Sequence, residues 1–119
     1  MQDFSDDIIN RVWEKAKVVP GVNSNLYRKD EHNAWIKRDN YANTKMPLSF
    51  GWCIEYIKPI TSGGHPKIEN LRPMHWENLD QPNTEKVCGK VTSYHDVNVY
   101  VNEKQLKRSL KEKKTQNEK

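Results

Sequence analysis

Long apolar runs and cysteine pairs are missing from this sequence, and each absence excludes a class of protein. Only 34% of the 119 residues are hydrophobic, and no apolar stretch approaches the roughly 20 residues that a helix needs to cross a bilayer. The opening residues, "MQDFSDDIIN", lack the basic-then-apolar order of a secretory signal. We therefore expect a cytoplasmic protein with no membrane partner, built as one domain around a thin core.

Cysteine is scarce, and the two cysteines that are present, Cys53 and Cys88, lie far apart in the chain. No CxxC pair occurs, which argues against a structural zinc site built on cysteine pairs. A disulfide between the two is an alternative that rests only on their even number. The expectation is that both are small, buried, apolar residues.

Excess positive charge is absent from most of the chain and is confined to its end. The whole chain carries +4, and residues 103–119 hold seven Lys/Arg and three Glu, which is also +4, so the remainder sums to zero. Binding to nucleic acid usually needs a basic face because phosphate neutralisation supplies much of the affinity. A neutral total can still contain a local basic patch. We predict a domain over residues 1–102 and a basic tail over 103–119 that is a frayed helix or disordered.

The pattern of apolar residues predicts an α+β fold with an N-terminal helix and extra C-terminal strands. "SDDIINRVWEKAKVV" has Ser5 as N-cap and acidic residues in its first turn, and its apolar residues at helical spacing are Ile8, Ile9, Val12, Trp13 and Ala16. Strands are predicted over 34–37 and 51–57, and two more within 86–102. A second helix is predicted to begin near Met74 and to end at Pro82.

The stretch "GWCIEYIKPITSGGHPKIENLRPMHWENLDQPN" resembles the HNH endonuclease superfamily, whose core is a ββα-metal finger. The shared features are a strand with a proline exit, a GG turn, "NL" and a following "WEN". The upstream pieces "VWEKAKVVPG", "YRKD" and "AWIKRDNYAN" are similar to a bacterial and phage HNH subfamily. The resemblance covers about residues 8–90 and implies a small HNH-like finger within the α+β fold.

The resemblance also implies a role for each position of the motif. In that family the first strand ends in a metal ligand followed by a histidine general base, an asparagine about fourteen residues later orients the loop, and a second ligand follows about nine residues beyond. Here Glu55 takes the first metal position and Tyr56 takes the general-base position. Asn70 is the orienting residue, Leu79 stands at the second ligand position, and Asn78 is adjacent to it.

Two of these four positions have lost the chemistry that the family needs. A tyrosine side chain with a reference pKa of about 10 is a poor base at neutral pH, whereas histidine at about 6.5 is well matched, and leucine cannot bind a metal. The retained scaffold therefore predicts a catalytically degenerate, nucleic-acid-binding module without a cofactor. Two alternatives remain: a protein-interaction or structural module, and an active endonuclease with altered ligands, which alone would need a divalent metal.

Several residues keep more than one interpretation. Glu55, His75 and Asn78 are candidate metal ligands, and His65 could complete a rebuilt site with Glu55 and His75. Tyr56 either fills a dead site, has a new task, or is an unusual catalytic residue. The four tryptophans could stack on bases, but we expect them to anchor a thin core.

The candidate nucleic-acid contacts are all cationic. Each either meets a phosphate or is an ordinary solvated side chain, and those of the tail could instead bind an acidic partner or add solubility. Nucleic acid and protein therefore both remain candidate partners, and the sequence leaves the oligomeric state open. The candidates in the body are Lys37, Arg38, Lys58, Lys67 and Arg72, and those in the tail are Lys107, Arg108 and Lys111.

Overall fold

A computed structural model describes residues 4–79 and 90–101, and in these ranges the fold is mixed α+β. These ranges contain one α-helix and six short strands. The strands pair as three antiparallel two-stranded ribbons, β1–β2, β3–β4 and β5–β6. No helix in the described ranges is long and apolar enough to span a bilayer. In chain order the elements are α1 (Asp6–Trp13), β1 (Tyr27–Lys29), β2 (Trp35–Lys37), β3 (Trp52–Tyr56), β4 (Leu71–His75), β5 (Lys90–Tyr94) and β6 (Val97–Val101).

Helix α1 begins where the sequence predicts and ends earlier. The Ser5 hydroxyl accepts a hydrogen bond from the Ile8 backbone N–H at 3.3 Å, which satisfies one of the free donors at the helix start. The helix ends at Trp13, and Lys17 then exchanges backbone hydrogen bonds with Lys29 at 2.8 and 3.0 Å. This pairing with β1 keeps the chain extended where local periodicity favours a longer helix.

The hydrophobic core forms between α1 and the β3–β4 ribbon. The predicted apolar face of α1 is confirmed, because Val12 and Trp13 are buried and Ile8 and Ile9 pack against the same cluster. Ala16 is also buried in this cluster but lies beyond the end of the helix. The indole rings of Trp13 and Trp52 lie 5.4 Å apart between centroids. The remaining buried members of this cluster are Ile36, Ile54 and Leu71.

The predicted helix near Met74 is wrong for the described residues. β4 continues through His75 and pairs with all five residues of β3, from Tyr56↔Leu71 to Trp52↔His75. Only one turn of 3-10 helix follows, over Trp76–Asn78, and the predicted end at Pro82 lies outside the described residues. The cross-strand hydrogen bonds thus prevail over the local helical preference of this segment.

The predicted strands are found as β2, β3, β5 and β6, while β1 was not predicted. Core anchoring by tryptophan is confirmed for Trp13 and Trp52, which belong to the core cluster. Trp35 is buried outside that cluster, and Trp76 is half-buried. Cys53 is a buried free thiol, as expected, and burial raises its pKa. The expectations for Cys88 and for the tail over 103–119 fall outside the described residues.

Candidate functional site

The loop that joins β3 to β4 is held closed by the side chain of Asn70. Its Oδ1 accepts from the Lys58 backbone N–H at 2.7 Å, and its Nδ2 donates to the carbonyls of Lys58 and His65, each at 2.9 Å. The Asn70 carbonyl also accepts from Ile57 N–H at 2.8 Å. Asn70 therefore fixes the backbone directly after Tyr56, which lies opposite Leu71 in the ribbon.

Two glycines allow this loop to close on Asn70. Gly63 has a φ of +93°, in the left-handed region that disfavours a side chain. At Gly64 a Cβ would lie 1.9 Å from the Lys58 carbonyl oxygen and 2.9 Å from Asn70 Nδ2. The GG turn is therefore a packing requirement of the Asn70 clamp, whatever the site does.

The Glu55 carboxylate, at the first metal position of the resemblance, is engaged by Arg72. Nε and one terminal nitrogen of Arg72 lie 2.8 and 2.7 Å from Oε1 of Glu55. The other terminal nitrogen pairs with Glu31. Because the Glu55 side chain is only 11% exposed, a cation could reach it only by displacing the guanidinium.

Tyr56 lies at the strand end, where the resemblance places the general base. Its half-buried ring packs against the hydrophobic core and lies 6.2 Å from the ring of Phe4 between centroids. These contacts support the interpretation that Tyr56 fills space, because its aromatic ring extends the core toward the N-terminal segment.

His75 and Asn78 belong to a buried hydrogen-bond network centred on Asp30, a residue that the sequence analysis did not single out. Asp30 is 1% exposed. Its Oδ1 accepts from the backbone N–H groups of His32 and Ala34, and its Oδ2 accepts from His75 N–H and Asn78 Nδ2, all at 2.9 Å. Four donors thus satisfy one buried carboxylate, as burial of a charge requires.

Both ring nitrogens of His75 already have partners. Nε2 lies 2.6 Å from the Ser49 carbonyl, and Nδ1 accepts from the Glu77 backbone N–H at 3.1 Å. An imidazole that accepts at Nδ1 and faces a carbonyl at Nε2 carries its hydrogen on Nε2 and is neutral. Burial lowers the pKa of His75, against the opposing effects of the Ser49 carbonyl and the charges of Glu77 and Asp30.

Asn78 uses its amide to extend the hydrogen bonding of strand β5. Besides Asp30, its Nδ2 donates to the Val91 carbonyl at 2.8 Å, and its Oδ1 accepts from the Val91 N–H. Lys90 Nζ donates to the Asn78 carbonyl at 3.0 Å. Every polar atom of this side chain is therefore occupied in joining β5 to the end of β4.

The residues present do not fit the metal ion that the resemblance implies. The register places Glu55 opposite Arg72 and His75 opposite Trp52, so Glu55 and His75 lie about 10 Å apart along the ribbon and on opposite faces. In the described part of the chain, no three His, Cys, Asp or Glu side chains are grouped for a metal. Glu55, His75 and Asn78 thus have separate partners and do not converge.

The predicted cationic contacts are distributed over the surface. Lys58 and Lys67 lie exposed on the loop, Arg38 donates to Asn10 Oδ1 at 3.0 Å, and Lys37 lies 3.9 Å from Asp39. Arg72 is occupied by its two carboxylates. Lys107, Arg108 and Lys111 are outside the described residues.

A cavity of about 270 Å³ beside Arg72 is lined by lysines that the sequence analysis did not single out. We call it the basic cavity. Lys15 is fixed at its edge, since its Nζ donates to the carbonyls of Ile68 and Leu71. No local pattern in the sequence indicates this grouping, because its members come from the segment after α1, from β1 and the residues after it, and from β4. Its charged lining residues are Lys15, Lys17, Lys29, Asp30, Glu31 and Arg72.

Comparisons of this chain with protein-family models, with curated proteins and with solved structures returned no match.

Proposed function

We propose that this chain is an HNH-nuclease-like module that has lost catalysis and binds nucleic acid. The motif is the starting point, and the geometry of its hairpin supports the proposal. Asn70 clamps the loop that follows Glu55 and Tyr56, which is the positioning role that the resemblance implies for it. The ββα-finger assignment itself remains part of the proposal.

Loss of catalysis is supported by the partners of the motif residues. The residue at the strand end is Tyr56 instead of a histidine, and its ring packs on the core. The carboxylate of Glu55 is bound by Arg72. Without a base matched to neutral pH and without converging ligands, this site has no means to activate water or to stabilise a leaving oxygen.

The basic cavity is the observation that carries the binding proposal. Four basic and two acidic residues line it, for a formal net of +2. The Nζ of Lys29 lies over the Trp35 ring, and the carboxylate of Asp30 already accepts four hydrogen bonds. The cavity lies beside Glu55 and the start of the loop, because Arg72 and Ile57 are among its walls. A concentration of positive charge next to the former catalytic position suits a phosphate group of a nucleic acid.

The test is fluorescence anisotropy of the full chain with labelled 20-mer oligonucleotides, single-stranded and duplex, across a series of salt concentrations. We expect affinity to fall steeply with salt. Lys17→Glu should weaken binding and flatten the salt slope, since Lys17 lines the basic cavity. Lys45→Glu is the matched control, because it makes the same charge change at an exposed lysine that does not line this cavity.

An affinity that does not change with salt concentration would contradict the proposal for this cavity. Equal weakening by Lys17→Glu and Lys45→Glu would contradict it too. Complete absence of nucleic-acid binding would favour the alternative of a protein-interaction module.

A further inference from the structure

A second cavity, of about 310 Å³, is walled by three aromatic rings on the other side of β1 and β2 from the core. We call it the aromatic pocket and define it by Val22, Tyr27, Trp35, Phe50 and Asp96. The Tyr27 ring is nearly perpendicular to those of Trp35 and Phe50, at 85° and 88°, with centroids 6.5 and 5.8 Å apart. Its volume is at the small end of the range for small-molecule sites, about 300–1,000 Å³.

The Trp35 wall is held rigidly by the β5–β6 ribbon. Asn98 accepts from the Trp35 backbone N–H at 2.7 Å and donates to its carbonyl at 3.0 Å. The indole N–H donates to the His95 carbonyl at 2.7 Å. Since Asn98 is 5% exposed, these bonds are shielded from water and fix the ring before any ligand arrives.

Charge around the aromatic pocket favours a ligand that carries phosphate over a cationic one. Lys29 Nζ lies 4.7 Å above the Trp35 ring, and Lys37 Nζ lies 5.8 Å above the Tyr27 ring. A further cation would meet two ammonium groups on these rings. A nucleotide would instead place its base against the aromatic walls and its phosphates near the lysines, the combination typical of single-strand binding sites.

Asp96 adds a preference among bases. Asp96 is among the lining residues of the pocket, and its carboxylate takes part in no ion pair within residues 4–79 and 90–101. An ionised carboxylate only accepts hydrogen bonds. Cytosine and adenine present an exocyclic amino donor, whereas thymine presents a carbonyl oxygen at the corresponding position.

We propose that the aromatic pocket binds one unpaired base of a single-stranded nucleic acid and prefers a base with an exocyclic amino group. This inference rests on the proposed nucleic-acid binding and deepens it, because it names the strand state and the kind of base. It also gives Lys37, a predicted phosphate contact, a defined neighbour in Tyr27.

The experiment compares the binding of two single-stranded 12-mers, oligodeoxycytidine (dC12) and oligothymidine (dT12), to the full chain by fluorescence anisotropy. Quenching of tryptophan fluorescence is a second readout. We expect dC12 to bind at least about fivefold more tightly than dT12. Asp96→Ala, a change at an exposed residue, should abolish that preference. Tyr27→Leu should weaken dC12 at least about fivefold, while the control Tyr100→Leu, at an exposed tyrosine outside the pocket, should not.

Circular dichroism of each variant verifies folding, and Asp96→Ala keeps the test decisive if Tyr27→Leu unfolds the chain. Equal binding of dC12 and dT12, or a preference that survives Asp96→Ala, would overturn the inference. Quenching by tetramethylammonium but not by either oligonucleotide would identify a cation site and overturn it too. If both oligonucleotides bind with steep salt dependence but ignore the pocket variants, this inference fails while the proposed function stands.

Discussion

The two ends of the β3–β4 ribbon bury their polar groups in opposite ways. At one end, beside His75, Asp30 is 1% exposed and its carboxylate accepts hydrogen bonds from four neutral N–H groups. At the other end, the next residue in sequence, Glu31, has a side chain that is 55% exposed and pairs with Arg72. Two adjacent carboxylates therefore differ in their surroundings. We call the end beside Asp30, with its buried hydrogen bonds, the buried end, and the end beside Glu31 and Arg72, with its exposed ion pair, the open end.

This difference indicates which end a ligand can use. If the Asp30 carboxylate moved, four buried or part-buried donors would lose a hydrogen bond to it, so a ligand that competes there disrupts the local structure. Exposed ion pairs contribute little to stability, about 0–1 kcal/mol, and a phosphate can exchange partners with them. The open end is therefore available for binding, and the buried end holds three parts of the chain together.

The largest expected effect is the loss of the buried carboxylate. Asp30→Ala should destabilise the protein by about 3–5 kcal/mol, because it leaves several buried donors unsatisfied at about 1–3 kcal/mol each. Glu31→Ala, one residue away, should change the free energy of unfolding by less than about 1 kcal/mol. Urea denaturation of both variants measures the contrast, and equal losses would break the distinction between the two ends.

These contrasts also mark what the sequence could predict. Helix α1 and strand β3 were predicted because their signals are local: a cap with helical spacing for α1, and β-branched and aromatic residues for β3. Asp30 was missed because it stands in the polar stretch "YRKDEHN", and its burial depends on His75 and Asn78, which are 45 and 48 residues away. The sequence analysis treats Asn78 as a candidate metal ligand. Its spacing in the motif does not reveal that its amide bonds the backbone of Val91.

At the open end, too, the sequence predicts the local loop but not the long-range contacts. The family resemblance predicts an orienting role for Asn70, and the Asn70 side chain bonds the backbone of Lys58 and His65 across the loop. It gave no warning that Arg72 would bind Glu55, since a cross-strand pair depends on a register that the sequence does not reveal. The aromatic pocket takes its walls from separate segments of the chain, which no local pattern joins.

The next effect in size concerns the loop at the open end. Gly64→Ala places a methyl group against the Lys58 carbonyl and Asn70 Nδ2, so the clamp must open, at a cost of about 1–3 kcal/mol. Gly21→Ala is an informative control because Gly21 has φ of +80° but no neighbour within 4 Å of its Cβ position. Thermal denaturation should show the larger loss for Gly64→Ala, and a loss no larger than that of Gly21→Ala would mean that the loop accommodates the methyl group without opening the clamp.

A smaller effect appears as a pH dependence at the buried end. The folded state lowers the pKa of His75, whereas the unfolded chain protonates near pH 6.5. Below that pH the unfolded state binds a proton at His75 that the folded state does not bind. The free energy of unfolding should therefore fall as pH decreases, by at most about 1.4 kcal/mol per pH unit. Above pH 6.5 this contribution is constant.

Urea titrations between pH 5.5 and 7.5 measure this slope, and His75→Gln should flatten it while lowering stability throughout. NMR of the imidazole nitrogens gives an independent measure, with Nε2 protonated and Nδ1 bare at pH 6.5. A His75 ring that titrates at or above pH 6.5 would contradict the neutral assignment.

The smallest expected effect is on phosphodiester cleavage, which should be undetectable in the wild type with Mg²⁺, Mn²⁺, Ni²⁺ or Zn²⁺. Absence of the general base alone typically costs about 10²–10⁴-fold in rate. Tyr56→His with Leu79→Asn restores the residue types of the family motif, but we expect it to remain inactive, because Arg72 still binds Glu55. Adding Arg72→Ala frees that carboxylate, but we expect the triple variant to stay inactive as well, because only a 3-10 turn follows β4 in the described residues and position 79 is not brought back toward Glu55. Supercoiled-plasmid relaxation with chelator controls compares the three proteins, and metal-dependent nicking by the wild type that Glu55→Ala abolishes would show that the open end is still an enzyme.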